Sequence, residues 1–354
     1  MIRKKSASTN DSPPALMAAG TFVVDYHKVI DHYPDQRGSA TVKREMVSNG
    51  GAPFNLLLAL AKLKVDFPLV AAGKVGRDLD GNMVLDECRK HGIDTTQLQG
   101  IEDSSTGYTD VFTVETSGRH TCFHYRGIGD TFRRKDIKLR AVAPKILFLG
   151  SLGALGKMDQ YHRDFGRRGA TQLIRDARKQ GITTVIEISP THHRAEIADY
   201  LETIKETDYL IINDRLTERL TDTEVSAEGQ FDPELGRQAA QQFLDHGLRK
   251  AVIVHAGIAA ISLHRDGTFA EESAQRLPPS QRAGSAGVDH AFSAGFLEGL
   301  YHQKDPNTCL QQGLAVANAC RTHLTPSGGI LPLADCLRSF SPPHRPAAPG
   351  AAYA

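Results

Sequence analysis

Three short stretches combine residue types that chemistry requires. The most reactive is Ala283-Gly284-Ser285-Ala286-Gly287-Val288-Asp289-His290-Ala291-Phe292. Small residues form a turn there, and a carboxylate opens the helix that follows. Backbone N–H groups at a helix start stabilise developing negative charge. A carboxylate beside them takes a proton from an attacking hydroxyl. A base next to an anion site is what phosphoryl transfer to an alcohol requires. The plainer reading makes Asp289 only the N-cap of its helix.

The second stretch is Asn49-Gly50-Gly51-Ala52-Pro53-Phe54-Asn55, which runs into an apolar helix. Paired glycines let the backbone approach a ligand closely, and Pro53 suits a first helical turn. Asn55 then presents its amide to hydroxyls. An ordinary turn and helix start explains the same residues. The third is Gly73-Lys74-Val75-Gly76-Arg77-Asp78, with Asp80-Gly81 after it. It contains neither a dinucleotide G-x-G-x-x-G nor a Walker-type G-K-[ST].

These residues need a scaffold, and the pattern predicts one. Short apolar runs at 67–72, 145–150, 183–188, 208–212 and 251–255 read as strands buried on both faces. Helical segments lie at 52–63, 78–91, 163–179, 234–246, 289–300 and 306–323. Gly92 and Gly181 follow two of them at the expected stop position. The prediction is an α/β fold: a doubly wound, mainly parallel sheet flanked by helices. Residues 41–47, 108–114 and 121–125 break the rhythm and read as antiparallel strands. They imply a small β lid, from about 36–48 and 105–126, over the carboxyl ends of the strands where such sheets bind ligands. One domain is expected over 16–340, between a disordered arm (1–15) and a disordered Pro/Ala-rich tail (341–354).

Composition excludes several classes. The 354 residues carry 42 Lys and Arg against 41 Asp and Glu, a formal net charge of +1. That balance argues against holding nucleic acid or a membrane by bulk charge. No apolar stretch approaches the roughly 20 residues needed to span a bilayer, and no signal-peptide core follows the basic start. Five dispersed cysteines (Cys88, Cys122, Cys309, Cys320, Cys336) read as reduced, buried thiols of a cytoplasmic protein. No metal site is assigned: His192-His193 has no second ligand pair and reads as exposed loop. The basic cluster Arg133-Arg134-Lys135, beside Asp136, reads as a solvated face.

Three motifs in this order resemble the ribokinase-like (PfkB) carbohydrate kinase family, from about Gly20 to Gly329. Residues 20–25 resemble its opening strand, whose carboxylate, here Asp25, binds sugar hydroxyls. Asn49, Gly50, Gly51 and Asn55 resemble its sugar-contacting G-G-x-x-x-N element in a fructokinase-type form. Residues 73–81 are similar to its G-x-[VI]-G-x-D-x-x-G stretch. Asp289 takes the place of the catalytic base in D-T-x-G-A-G-D-A-F, with Ala286, Gly287 and Val288 as the anion hole. Asn213, Gly257 and the weaker Gly328 match fall in ATP-binding positions. The resemblance implies transfer of the ATP γ-phosphate to a sugar hydroxyl, with Mg²⁺ and often a monovalent cation. It also implies a homodimer paired through the lid.

The departures concentrate on the ATP side. G-A-G becomes Ala286-Gly287-Val288, and a β-branched residue suits neither close phosphate approach nor a positive φ. In N-x-x-E, Asn213 matches but the Glu position is Leu216. Glu218 lies about 200° away around the helix, which leaves Asp214 as the nearer substitute. The loop [VT]-x-x-G-x-x-G keeps one glycine in residues 254–260. Gly127-Ile128-Gly129-Asp130 replaces an Ala-Asn pair after the lid. D-P-N-x-R is left as Ser189-Pro190-Thr191-His192-His193. Two further readings therefore stand beside an active kinase. One is a sugar-binding sensor without ATP chemistry. The other is a nucleoside kinase whose lid aromatics, Tyr108, Phe112, Phe123 and Tyr125, stack on a base.

Overall fold

The computed structural model describes residues 13–189, 196–227 and 230–340. The predicted arm, except for its last three residues, the predicted tail and the His192-His193 pair lie outside them. Residues 13–15 are held: the Tyr301 hydroxyl donates to the Pro14 carbonyl at 2.6 Å, and Ala15 is buried.

Nine strands form the main sheet. One half holds β1 (Leu16–Gly20), β4 (Leu69–Gly76), β5 (Asp94–Ile101) and β8 (Ile146–Leu152), in the order β5-β4-β1-β8. Beyond β8 come strands Thr183–Ile188, Tyr209–Asn213 and Ala251–Ala256, all parallel. Two antiparallel strands, Ala259–His264 and Phe269–Ser273, finish the edge. The core strands are covered on both faces, as their unbroken apolar runs predict. Alternate residues of β1 enter opposite layers: Leu16 and Ala18 pack in one core cluster, Met17 and Ala19 in the other. Helix α1 (Ala52–Lys62) and the helix Val288–Tyr301, called here the base helix, belong to the first layer.

A separate four-stranded sheet in the order β3-β2-β6-β7 stands over the strand ends. It consists of β2 (Val23–Ile30), β3 (Val42–Gly50), β6 (Gly107–Val114) and β7 (His120–Tyr125). The sequence reading placed residues 20–25 on one strand; instead β1 ends at Gly20 and Val23 begins a lid strand. The lid is thus one strand larger than predicted. β2 was missed because its alternating polar residues serve a half-open sheet, not a buried one. The lid is fixed to helix α2 (Leu79–Lys90) by Tyr26, whose hydroxyl donates to Asp80 at 2.6 Å. Tyr108 with Tyr125, and Phe112 with Phe123, pair across strands at 5.3 and 5.8 Å between ring centroids.

Three more expectations change. The helix predicted over 163–179 begins at Gly169, because residues 161–168 form a tight two-strand turn. The Gly73–Gly81 stretch is a structural joint. The Asp78 carboxylate caps α2 through the Gly81 N–H at 2.8 Å and accepts from both the N–H and the hydroxyl of Thr106, where the chain enters β6. Four cysteines are buried, but Cys122 is exposed on β7, where burial of its sulfur against the sheet still pushes the thiol up to about 11.

Candidate active site

Two cavities open at the carboxyl ends of the strands. One, of about 370 Å³, lies under the lid and is lined by Asp25, Gly51, Asn55, Gly287 and His290, among others. It contains the predicted sugar-contacting residues except Asn49 and Gly50. Those two support it from behind. Asn49 donates from Nδ2 to Asn55 Oδ1 at 2.6 Å and accepts from the Ser327 hydroxyl at 2.8 Å. Its amide therefore orients Asn55 instead of meeting a ligand, and it leaves the Asn55 Nδ2 group to the cavity. Gly50 makes room for Asp25: a Cβ there would sit 2.0 Å from Asp25 Oδ1. Asp25 is buried on β2 opposite Ser48. Burial pushes its carboxyl up to about 7, against a hydrogen bond from Thr109 that pulls it down.

The other cavity, of about 460 Å³, is lined by Asp214, Gly257, Asn318 and the arginines Arg276, Arg282 and Arg321. Gly257 turns the chain between two sheet strands with φ +53°. The predicted Gly328 match lies elsewhere. It packs against the His323 ring, in the turn whose Ser327 braces Asn49.

Asp289 itself lines neither cavity. It is not a helix cap: Gly287 caps the base helix, and Asp289 is its second residue. The N-cap reading of the motif is overturned, and the Asp289 side chain is left for another partner. That partner is Asn213, whose Nδ2 donates to Asp289 Oδ2 at 2.9 Å while its Oδ1 caps the next helix through the Leu216 N–H. Burial pushes the Asp289 carboxyl up, but nearby His255, Asn213, His290 and Arg321 pull it further down, to below its ordinary value. His290 lines the first cavity and Arg321 the second, so the carboxylate held ionised has one neighbour in the lining of each. The His255 ring stacks on Phe292 at 4.4 Å; the sequence carried no signal for its role, since Val254-His255-Ala256 reads as plain strand.

The altered anion-hole turn is also explained. The left-handed residue is Gly287, with φ +74°, and a Cβ there would meet Pro326 at 2.3 Å. Val288 is the first helical residue, and its side chain is buried in the core. The expectation that Val288 strains the turn is therefore overturned. Ala286 and Gly287 line the first cavity at the amino end of the base helix, where N–H groups favour an anion, although that of Val288 already donates to the Ser285 carbonyl at 3.4 Å.

Sequence reasoning missed a buried pair beside the base. Glu187, at the end of its strand, accepts from the Ser293 hydroxyl and lies 3.5 Å from His290 Nδ1. Burial pushes the Glu187 carboxyl up, against His290 and Ser293. Only its place at a strand end, in an otherwise apolar run, marked it in the sequence.

A resident metal has little support in side chains. Among the described residues, no group of three or more His, Cys, Asp and Glu converges on one point. Leu216 is buried in the core, and Glu218 accepts from the Ser226 N–H at 2.8 Å, turned to a neighbouring hairpin. Asp214 remains, with one oxygen accepting from the Ser226 hydroxyl at 3.1 Å and its side chain on the second cavity. One carboxylate plus phosphate oxygens and water is an adequate donor set for Mg²⁺. No helix among the described residues is long and apolar enough to cross a membrane.

Comparison with known proteins agrees over nearly the whole chain. The family model of pfkB family carbohydrate kinases matches residues 21–331. An ATP-dependent ribose-1-phosphate kinase of Halopiger xanaduensis is 24% identical over 336 residues, covering 92% of this chain and 97% of the relative. A 5-dehydro-2-deoxygluconokinase of Clostridium botulinum is 24% identical, covering 85% of each. Among solved structures, Arabidopsis thaliana ribokinase complexed with ribose and ATP superposes with a TM-score of 0.74 at 18% identity. That match covers 92% of this chain and 98% of the ribokinase.

Proposed function

The chain belongs to the pfkB family of carbohydrate kinases, enzymes that transfer a phosphoryl group to a hydroxyl, and from that premise we propose an ATP-dependent sugar kinase with Asp289 as its general base. The acceptor occupies the cavity under the lid, with its hydroxyls met by Asp25 and Asn55. ATP occupies the second cavity, with its phosphates among Arg276, Arg282 and Arg321. Asp289 takes the proton of the reacting hydroxyl. The acceptor oxygen then bonds to the γ-phosphorus while the bond from that phosphorus to the β–γ bridging oxygen breaks, and ADP leaves. The first-turn N–H groups at Ala286, Gly287 and Val288 carry the charge on the transferring group. Asp214, together with phosphate oxygens, would hold Mg²⁺, which would supply charge neutralisation there. Asn213 keeps Asp289 aimed and ionised, and the lid excludes water.

The observation that supports this reading is the Asn213–Asp289 contact, which holds a carboxylate ionised next to His290 of the first cavity and Arg321 of the second. The acceptors named for the two curated relatives are ribose 1-phosphate and a deoxygluconate derivative, both sugar-derived. A coupled ADP-release assay over a sugar panel tests the proposal. Wild type is expected to release ADP with at least one acceptor, and Asp289→Asn to lose on the order of 10²–10⁴ in rate. Equal release from both proteins would remove Asp289 from the mechanism. Thermal stabilisation by a sugar but not by Mg-ATP would favour a non-catalytic sensor.

A further inference from the structure

The kinase reading sends the acceptor's proton to Asp289, yet Asp289 lines neither cavity. The next residue, His290, does line the cavity under the lid, beside Ala286 and Gly287 of the turn. Its two ring nitrogens have different surroundings. Nδ1 is buried and lies 3.5 Å from Glu187 Oε2, and among the described residues it makes no closer bond. The side chain as a whole is 20% exposed. The open edge of the ring is therefore the one that carries Nε2, and it is turned to the cavity.

Glu187 is placed to hold this ring. It is buried near the end of its strand and accepts from the hydroxyl of Ser293, about one turn beyond His290 on the base helix. A carboxylate only accepts, so Nδ1 is the nitrogen that carries hydrogen and Nε2 presents a lone pair. A histidine with one nitrogen on a buried carboxylate and the other bare in a cavity is arranged to take up a proton. The plainer reading makes His290 a polar wall. A wall needs no buried carboxylate behind it: burial pushes the Glu187 carboxyl up, and His290, ahead of Ser293, works against that rise.

We propose that His290 Nε2 takes the proton of the reacting hydroxyl, with Glu187 as the positioning residue behind the ring and Asp289 as a fixed negative charge beside it. The acceptor oxygen bonds to the γ-phosphorus, the bond from that phosphorus to the bridging oxygen breaks, and the hydroxyl proton moves to Nε2. The imidazolium so formed has two carboxylates as neighbours, which meet its charge. It gives the proton to water once the phosphorylated acceptor has left. This rests on the kinase reading and moves the atom of proton uptake from the Asp289 carboxylate to the neighbouring ring. Asp289 then acts through its charge.

ADP release by the full chain, with the best acceptor of a sugar panel, gives the first test. His290→Ala is expected to lose on the order of 10² in kcat, with the acceptor KM changed by less than about threefold. Added imidazole is expected to return roughly tenfold or more of that rate, because it carries the same nitrogen into the space the ring leaves. It is expected to return nothing to Asp289→Asn, where the ring is still in place. His290→Gln, which fills the space and takes no proton, shows the same loss should the alanine variant unfold. The second test needs no turnover. In nitrogen-15 histidine NMR of the protein at pH 8, the ring signals that His290→Gln removes are expected to show hydrogen on Nδ1 and none on Nε2. In Glu187→Ala the two tautomers are expected to mix and kcat to fall by roughly tenfold. A kcat within about twofold of wild type in the His290 variants, a loss that imidazole does not touch, or hydrogen on Nε2 of the resting ring overturns the proposal and leaves Asp289 as the base. Absence of ADP release from wild type with every acceptor overturns the kinase reading, and this inference with it.

Discussion

The two cavities are built differently. In the cavity under the lid, proposed for the acceptor, the polar groups of the Asn49–Asn55 stretch and Asp25 are braced in series: Ser327 holds Asn49, Asn49 holds Asn55, Thr109 holds Asp25, and Gly50 leaves the space Asp25 fills. In the second cavity, proposed for the nucleotide, the expected carboxylate position is Leu216, buried in the core, and three arginines from separate segments share the polar lining with Asp214, Ser226, Gln230, Ser273 and Asn318. A small ligand recognised through hydroxyl positions needs contacts fixed to a fraction of an ångström, so particular residues at particular spacings are required. A polyphosphate is held by charge and by backbone N–H groups, which many sequences supply. Asn213 ties the halves together, since it caps the helix that follows it and holds Asp289.

After Asp289→Asn, the next largest effect is expected at the turn before Asp289, which lines the cavity under the lid. Gly287→Ala places a Cβ against Pro326 at a left-handed position. We expect a loss on the order of 10² in kcat, because displaced N–H donors no longer meet the transferring group. Acceptor binding without nucleotide should change far less. A larger loss of acceptor affinity than of kcat would show that the turn belongs to the acceptor side.

Asn213→Ala breaks the link between the halves. It removes a hydrogen bond that lowers the Asp289 pKa. A base works ionised, so activity falls as pH drops through that pKa. Without Asn213 the pKa rises and the acid limb of the kcat profile moves to higher pH, with kcat at neutral pH reduced roughly tenfold. Loss of the helix cap costs about 1 kcal/mol as well. An unmoved acid limb would assign Asn213 to capping alone.

Asp25 gives a stability test on the acceptor side. Its folded pKa, about 7, is above its ordinary value of 3.8. The folded state therefore binds the proton more tightly than the unfolded chain does. The stability this gives is present below pH 4 and is lost as pH rises through about 7. Relative to wild type, Asp25→Asn should flatten that fall, raising Tm by a few degrees at pH 8 and little at pH 5. Parallel Tm curves for the two proteins would mean that Asp25 is solvated or paired.

Much of the scaffold was legible because buried parallel strands write themselves as short apolar runs. Leu16, Met17, Ala18 and Ala19 alternate between two cores, and such a segment has few other folds open to it. The paired-glycine turn was legible for the steric reason given above: a Cβ at Gly50 would collide with the buried Asp25 carboxylate. Other parts had no local signal. The lid strand Val23–Ile30 follows a buried strand after a two-residue break and reads as its continuation. Glu187, His255 and Arg321 come together only when strand ends and a distant helix meet. The arginines of the nucleotide cavity look like ordinary surface charge until the fold assembles them.

The smallest effect is the one the sequence made look largest. Valine where glycine is expected suggests a damaged anion hole. In the folded chain the left-handed residue is the glycine before it, and Val288 packs its side chain into the core. Val288→Gly therefore removes buried apolar surface and adds backbone freedom at a helix start, with a cost of about 1–3 kcal/mol in stability. It restores no N–H group that the present turn lacks. We expect kcat within about twofold of wild type, measured well below the lowered Tm. A gain of tenfold or more would mean that the valine does hold the N–H groups away from the phosphoryl group. The nucleotide side would then be impaired, and not simply built from different parts than the acceptor side.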